Sequence, residues 1–380
     1  MNAVPTSKPK VLFIMHLPPP VHGAAMAGKY IKDSKVVNDE ISSRYINLAT
    51  NTKLGESGKS SVKKVFRFVS IIKQVIGAVS KNKFDLCHVS LTASGPGFYK
   101  DFIIVFILKI FNQNIIYHFH NKGVTEASKN KIPNFFYRYV FKETKSILLS
   151  PLLFPDISKY VQKENTFYCP YGIPPVNETV LTGTPPVNSG RPCQLLYFSN
   201  MMSQKGVYVL LDALSILNKK KIDFTCNFVG AWSDVTEQDF NDYLVKEGLG
   251  NKVFSHGGKY GKDKYKYFED ADIFLFPTHY HYETFGIVNL EAMQHGLAII
   301  STPEGGIPDV VVDGKTGFLV PQKDSAQLAK KIEQLIDDPQ LRKNMGKSGR
   351  TRYEHFYTLE KFERNFIDVL NKAIVQYKNN

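Results

Sequence analysis

Short apolar runs rich in β-branched residues alternate along this chain with longer segments of helical periodicity. Such alternation is typical of parallel β-strands joined by crossover helices. It stops over residues 174–193, where Pro, Thr, Gly and Asn dominate, and then restarts. The chain is therefore predicted to be an α/β protein of two Rossmann-like halves in tandem. Ligands are expected at the carboxyl ends of the strands, in a cleft between the halves.

The predicted organisation follows from these runs. The predicted strands are 10–16, 43–48, 85–91, 114–119, 194–199, 223–229, 252–255, 272–276 and 297–301. The predicted helices include 62–79, 206–218, 263–270, 286–295, 324–337 and a terminal tract of roughly 340–378. The predicted domains are 1–180, a linker over 181–193, 194–355, and a C-terminal helix over 356–380 that returns to the first domain.

The positive charge of the chain is concentrated in one half. Residues 1–190 hold 24 Lys and Arg against 11 Asp and Glu, so this half carries the whole formal net charge of +13. Such an excess favours a polyanionic partner, namely nucleic acid, an anionic membrane or a phosphorylated substrate. No nucleic-acid-binding motif is present. The sequence therefore predicts no nucleic-acid partner.

Cysteine spacing indicates the cellular compartment, and hydropathy indicates whether the chain crosses a membrane. The cysteines Cys87, Cys169, Cys193 and Cys226 form no C-x-x-C pair, so we expect them to be reduced in a cytoplasmic protein. The most apolar stretch, 102–111, is interrupted by Lys109 and is shorter than the ~18 residues that a membrane span needs. No bilayer crossing is predicted.

Residues 62–79 have the pattern of a basic amphipathic helix. Their apolar side chains are predicted to lie on one stripe, namely Val62, Val65, Phe66, Val69, Ile72, Ile76 and Val79. Lys63, Lys64 and Arg67 lie elsewhere around the helix. Two interpretations remain open: packing with a solvated basic face, or docking of the three cations on an anionic membrane.

The most informative stretch runs from Pro277 to Val320. A predicted strand ends just before it, and a helix is predicted to begin near Gly286. The free N–H groups and the positive dipole end of that helix favour phosphate, and Gly286 allows a ligand to approach the backbone. Glu283 precedes the helix and Glu291 lies on it. Two carboxylates are poor phosphate ligands but good partners for sugar hydroxyls.

Glu283-x7-Glu291 lies within P-x-x-x-x-x-E-T-F-G-I-V-x-L-E-A-M and is followed by G-G-I-P-D and G-x-T-G-F-L-V. This pattern resembles that of the retaining glycosyltransferases of family four, also called glycosyl transferases group one, which includes sucrose synthases and bacterial mannosyl- and glucosyltransferases. Weaker similarity extends over nearly the whole chain. The resemblance implies a GT-B fold, in which two Rossmann-like domains face across a cleft.

The resemblance also implies a reaction. A hexose-type sugar would move, with retention, from a nucleoside diphosphate donor, UDP in preference to GDP, to a hydroxyl of a glycan acceptor. The setting would be bacterial surface polysaccharide or lipid-linked oligosaccharide synthesis, peripheral on the inner membrane face. No metal or other cofactor is expected.

Roles are implied by position in the family pattern. The implied catalytic residues are Glu283 and His120, both near the donor sugar, and Lys205, which neutralises the leaving diphosphate. Glu291 would bind the nucleotide ribose. The implied donor-binding set is Gly23, Asn200, Lys205, Gly230, Phe285, Gly286, Ile287 and Glu291. His118 shares a strand face with His120 and is the weaker candidate.

One departure from the family pattern concerns the donor phosphates. The family usually has a Gly-Arg pair where this chain has Ser199-Asn200. Asn donates a hydrogen bond but supplies no positive charge. Lys205 is therefore expected to carry more of the leaving-group stabilisation, and a weakened enzyme is an open alternative.

Other functions were weighed against this one. A nucleotide-sugar epimerase and a non-catalytic nucleotide-sugar-binding module remain alternatives, whereas a dehydrogenase would need a G-x-G-x-x-G after the first strand. His279 and His281 near His256, and Asp270-x-Asp272, could be drawn as metal sites. The spacing of the histidines and the position of Asp272 at a strand start favour structural roles.

Overall fold

The computed structural model describes residues 8–19, 21–50, 62–176 and 190–379. The chain forms two compact units. The first comprises the described residues of Met1–Tyr171 together with Leu359–Asn380, and the second comprises those of Gly172–Thr358. Most of the predicted linker, 181–189, lies outside the described residues.

Each unit is an alternation of strands and helices. The strands are β1 (Lys10–Met15), β2 (Ser42–Asn47), β3 (Leu86–Ser90), β4 (Ile115–His118), β5 (Lys145–Leu148), β6 (Thr166–Tyr168), β7 (Cys193–Phe198), β8 (Phe224–Val229), β9 (Val253–Ser255), β10 (Ile273–Phe276), β11 (Ala298–Ser301) and β12 (Gly317–Leu319). The α-helices are α1 (Gly23–Asp33), α2 (Lys35–Glu40), α3 (Val62–Val79), α4 (Gly95–Ile110), α5 (Val124–Ala127), α6 (Lys131–Phe141), α7 (Phe154–Ile157), α8 (Val207–Lys219), α9 (Glu237–Glu247), α10 (Tyr265–Asp270), α11 (Ile287–Gln294), α12 (Ile307–Val310), α13 (Ser325–Asp337), α14 (Pro339–Phe356) and α15 (Leu359–Lys378).

The first unit is built on a six-stranded sheet in the order β2-β1-β3-β4-β5-β6. Its strand pairs are parallel. From β2 onwards the chain moves in one direction across the sheet, whereas from β1 to β2 it moves in the other. Because such crossovers are right-handed, α3, α4 and α6 lie on the face opposite to α1 and α2. The α/β prediction is confirmed for this unit.

The C-terminal helix completes the core of the first unit. α15 packs against α2 and β3. Its apolar face, including Phe362, Phe366 and Leu370, is buried together with side chains of β1 and β3. The ring of Phe366 lies 5.3 Å from that of His88 and 6.0 Å from that of His118. Residues at the two ends of the described chain thus share one hydrophobic core.

Of the two interpretations of α3, packing along its apolar stripe is wrong for much of the helix. The buried residues are Ile71, Val75, Ala78 and Val79. Most of the predicted stripe is instead exposed, as for Phe66 at 71%. The reason is that α3 contacts α4 and β2 only along part of its surface. Among the described residues, no helix has the length and apolarity needed to cross a membrane.

The second unit repeats the architecture with the order β12-β11-β10-β7-β8-β9, again with parallel pairs. α8 and α13 pack together over one large core cluster of this sheet. The terminal tract predicted as one helix is divided into α14 and α15 by Tyr357 and Thr358. Thr358 forms a bridge with Ile173, which fixes the break in the second unit.

Candidate active site

Two loops of the second unit meet at the carboxyl edge of its sheet. β7 is followed by a short 3-10 turn, Ser203–Lys205, and β10 is followed by a loop that leads to α11. β7 and β10 are adjacent parallel strands, so both loops leave the sheet at the same edge. The N–H of His279 donates to the carbonyl oxygen of Gln204 at 2.8 Å and joins the loops.

Lys205 and Glu283, both predicted to be catalytic, form an ion pair in this place. The Nζ of Lys205 lies 2.6 Å from the Oε2 of Glu283, and the two side chains are only 15% and 14% exposed. The Lys205 ammonium also lies 4.5 Å from the centroid of the Tyr280 ring, within cation–π distance. Since little solvent reaches the pair, salt screens it weakly.

Glu283 also accepts hydrogen bonds from the start of α11. Its Oε1 lies 3.1 Å from the backbone nitrogen of Gly286 and 3.2 Å from that of Thr284. Burial raises the pKa of Glu283, but Lys205 and the N–H groups of Gly286 and Phe285 outweigh it and hold the pKa below its ordinary value. The carboxylate thus takes hydrogen bonds that a phosphate oxygen would take at a helix start.

The backbone around Gly286 is fixed by its conformation. Gly286 has φ +67°, a left-handed value that favours glycine, and an added Cβ would lie 2.7 Å from Nδ2 of Asn289. Phe285 is 1% exposed, and Ile287 is the first residue of α11. The predicted phosphate-binding backbone therefore requires glycine at position 286.

The second glutamate of the motif is paired as well. Glu291 lies on α11 and forms an ion pair with Lys264, and their side chains are 14% and 22% exposed. Lys264 ends the 3-10 turn Gly261–Lys264. Sequence reasoning missed this lysine because it lies in a lysine-rich segment that is typical of a solvated surface. Only its position in the fold identifies it.

Asn200 and Gly230 meet at the ends of β7 and β8. Asn200 is exposed, and its carbonyl oxygen accepts a hydrogen bond from the Tyr197 hydroxyl at 3.2 Å. An added Cβ at Gly230 would lie 1.7 Å from the carbonyl oxygen of Ser199. Gly230 therefore has a packing reason to be glycine, whatever its part in donor binding.

His120 lies at the end of β4 in the first unit, within a cluster of histidines. Its Nδ1 is hydrogen-bonded to the hydroxyl of Tyr171, and its Nε2 lies 3.4 Å from the Oγ of Ser90. Burial, with the nearby His88, His16 and His22, lowers the pKa of His120 well below its ordinary value. His120 is thus a neutral imidazole at neutral pH. Sequence reasoning missed Ser90, the last residue of β3, and Tyr171, which follows β6.

The remaining candidates of the first unit are placed as follows. Gly23 is the first residue of α1, whose N-cap residue is His22. Lys63, Lys64 and Arg67 lie in the first turns of α3, and Arg67 donates to the carbonyl oxygen of Thr50 at 2.9 Å. His118 is fully buried, and its Nδ1 lies 3.2 Å from the Nε2 of His88.

Neither metal alternative is assembled in the part of the chain that the structure describes. Within those residues no group of three or more His, Cys, Asp or Glu side chains could hold a metal ion. Asp272 instead accepts the N–H of Gln194 at 2.8 Å and pairs with Arg191 at 3.0 Å. His256 is hydrogen-bonded to Asn227 at 2.7 Å.

Asp272→Asn is expected to lower the free energy of unfolding by about 1.5–3 kcal/mol, because it removes charge-assisted hydrogen bonds. Chemical denaturation measures this change. Nucleotide binding, with and without EDTA, should stay as in the unaltered protein. A loss of binding without a loss of stability would contradict the structural role, and the exposed Asp263→Asn serves as the control.

The second unit is also recognised by sequence comparison. Residues 186–352 match the family described as Glycosyl transferases group 1. The match lies within the second unit, and we call this stretch the group 1 domain. The capsular polysaccharide biosynthesis glycosyltransferase CapM of Staphylococcus aureus is 32% identical over 162 residues, 43% of this chain and 41% of the relative. The chain spans about two fifths of the length of the first curated relatives, at 41%, 38% and 40%.

One relative extends beyond the group 1 domain. An uncharacterized 41.2 kDa protein in the cps region of Klebsiella pneumoniae is 25% identical over 329 residues, 80% of this chain and 82% of the relative.

Solved structures share the fold of the group 1 domain and of the first unit. Sucrose-phosphate synthase from Thermosynechococcus elongatus gives a TM-score of 0.75 at 17% identity, covering 97% of this chain and 100% of that chain. Anabaena Alr3699/HepE in complex with UDP and glucose gives 0.69 at 16% identity, covering 96% and 99%. The predicted GT-B fold class, two Rossmann-like sheets, is confirmed.

Proposed function

We propose that this protein is a retaining glycosyltransferase that moves a hexose-type sugar from a nucleoside diphosphate donor, UDP in preference to GDP, to a hydroxyl of a glycan acceptor. The proposed setting is bacterial surface polysaccharide or lipid-linked oligosaccharide synthesis, in the cytoplasm and peripheral on the inner membrane face. Neither a metal nor another cofactor takes part. The single observation that carries the proposal is the meeting of Lys205, Glu283 and the start of α11 in one loop pair of the group 1 domain.

The proposed chemistry is electrostatic. As the bond between the anomeric carbon and the diphosphate oxygen breaks, negative charge grows on the diphosphate. Lys205 and the N–H groups at the start of α11 would stabilise that charge. The acceptor oxygen bonds to the anomeric carbon on the same face, and its proton passes to the departing diphosphate oxygen. The complex of HepE with UDP and glucose supports a UDP-sugar donor, and the name of CapM supports sugar transfer in capsular polysaccharide synthesis.

A thermal-shift screen against UDP, GDP, ADP and their sugars, with and without EDTA, tests the donor site. Binding to the folded state raises Tm by mass action. We expect a shift for one diphosphate that EDTA does not change and that Lys205→Ala removes. The control is Lys220→Ala, which removes an ion pair with Glu333 elsewhere in the second unit and should keep the shift.

Two other results would contradict parts of the proposal. Absence of any shift would contradict the donor site. A shift with neither transfer nor slow donor hydrolysis would favour the non-catalytic binding module, consistent with the lack of a cation at Asn200.

A further inference from the structure

Three helices of the first unit present a surface that is both apolar and basic. α4 contacts α3 on one side and α6 on the other. Phe66 of α3 and Phe135 of α6 are each 71% exposed. We call the solvent side of these helices the α3–α4–α6 face. Large apolar side chains that point into solvent in this number mark an interaction site.

The middle helix carries a continuous apolar stripe. Tyr99, Ile103, Phe106 and Ile110 are 37%, 40%, 44% and 58% exposed. Their spacings of four, three and four residues place them on one side of α4. The stripe follows the whole helix and is not a set of scattered surface residues.

Aromatic contacts extend the stripe from α4 to α6. The ring of Phe102 lies 4.6 Å from that of Phe136, and the ring of Phe106 lies 6.0 Å from that of Tyr139. The Lys109 ammonium lies 5.1 Å from the Tyr139 ring. Apolar and cationic groups are therefore interleaved on one surface.

The charge on this surface has a single sign. The sequences of α3, α4 and α6 contain eight Lys and Arg and one acid, Asp101. Asp101 is fully buried and accepts the N–H of Thr92 at 2.9 Å. These three helices thus expose no carboxylate, and their cations complement an anionic surface. A second copy of the chain on this face would place like charges together, which opposes self-association.

We propose that the α3–α4–α6 face docks on an anionic lipid bilayer. Phe66, Phe106 and Phe135 enter the interface between headgroups and acyl chains, and the surrounding cations contact the lipid phosphates. This inference deepens the membrane part of the proposed function and rests on that part, but it does not depend on the transfer reaction. It assigns the insertion to α4 and α6 as well as to the basic helix α3.

Flotation of the full chain with vesicles of phosphatidylcholine, with and without phosphatidylglycerol, tests the inference. We expect binding to the vesicles that contain phosphatidylglycerol at low salt, and its loss in about 1 M salt, where the Debye length is about 3 Å. F66S/F106S/F135S and K63Q/K64Q/R67Q should each weaken binding at least about tenfold. The matched controls replace exposed residues elsewhere, V245S/F254S/F356S and K343Q/K347Q/K372Q, and should bind as the unaltered protein does.

Several outcomes would overturn the inference. They are absence of binding to the anionic vesicles, equal weakening by the control variants, and a dimer in light scattering that only F66S/F106S/F135S dissolves. If the phenylalanine variant does not fold, the charge variant decides. The nucleotide thermal shift, measured on the same samples, separates a failure of docking from a failure of the donor site.

Discussion

Glu283→Gln should tighten the binding of the nucleoside diphosphate and slow sugar transfer at the same time. The Glu283 carboxylate neutralises Lys205 and accepts the N–H groups of Thr284 and Gly286. A bound diphosphate would need the same partners. At about 4 Å and an effective dielectric constant of about 20, the interaction between two unit charges contributes at most about 4 kcal/mol. Solvent screening and the polar amide of the new glutamine reduce this electrostatic gain. We therefore expect at least about tenfold tighter binding of UDP.

Transfer should nevertheless slow by about 100-fold, because the family resemblance places Glu283 beside the donor sugar. Calorimetric titration with UDP and initial rates with the UDP-sugar measure the two effects separately.

Glu291→Gln provides the matched comparison. Glu291 is paired with Lys264 as Glu283 is with Lys205, and the exposures of the two glutamates are equal at 14%. The implied partner of Glu291 is the donor ribose, however, so Glu291→Gln should weaken UDP binding. Opposite directions for the two variants support separate roles. If Glu283→Gln weakened UDP binding as Glu291→Gln does, the competition between Glu283 and the diphosphate would be refuted.

Acidification should destabilise the first unit at a pH well above the range in which carboxylates titrate. His88 and His118 are fully buried and share a hydrogen bond. Burial lowers the pKa of His88 to about 3 and that of His118 well below its ordinary value. The unfolded chain therefore binds these protons first, and stability falls as the pH drops below about 6.5. For the two groups the loss is about 4 kcal/mol between about pH 7.5 and pH 5.

The variant H88L/H118L isolates this effect. Replacing both partners of a buried hydrogen bond by apolar groups changes stability little at neutral pH, but it removes the two proton sites. We expect a clearly flatter dependence of unfolding free energy on pH, measured by urea denaturation. Asp101 acts in the opposite direction, because burial raises its pKa, and it is the same in both proteins. His281→Gln, at an exposed site, should leave the dependence unchanged, and an unflattened curve for H88L/H118L would refute the assignment.

The strand and helix that position the proposed donor site were well predicted because their signal is local. One strand, a loop with Glu283 and Gly286, and a helix with Glu291 follow each other between Phe274 and Gln294. Capping and close backbone approach depend on neighbours in sequence, so the helix start near Gly286 was predicted correctly. The partner Lys264 comes from another segment and has no such signal.

The features that sequence reasoning missed are three short strands and one helix break without a sequence signal. β5, β6 and β12 have four, three and three residues and were missed, although the equally short β9 was predicted. The break between α14 and α15 contains neither Pro nor Gly and is stabilised by the bridge between Ile173 and Thr358. The sequence left open whether the stripe of α3 is packed or exposed, because an apolar period does not say what, if anything, covers it.

The return of α15 to the first unit determines the order in which this protein can fold during synthesis. The first unit is begun by residues before Tyr171 but lacks Phe362, Phe366 and Leu370 until the segment from Leu359 has left the ribosome. The second unit, by contrast, is complete in sequence at Thr358. The second unit can therefore reach its native state first, while the face of the first sheet that α15 completes is covered only in part, by α1 and α2. During that interval the nascent chain exposes an apolar sheet surface that a chaperone would recognise.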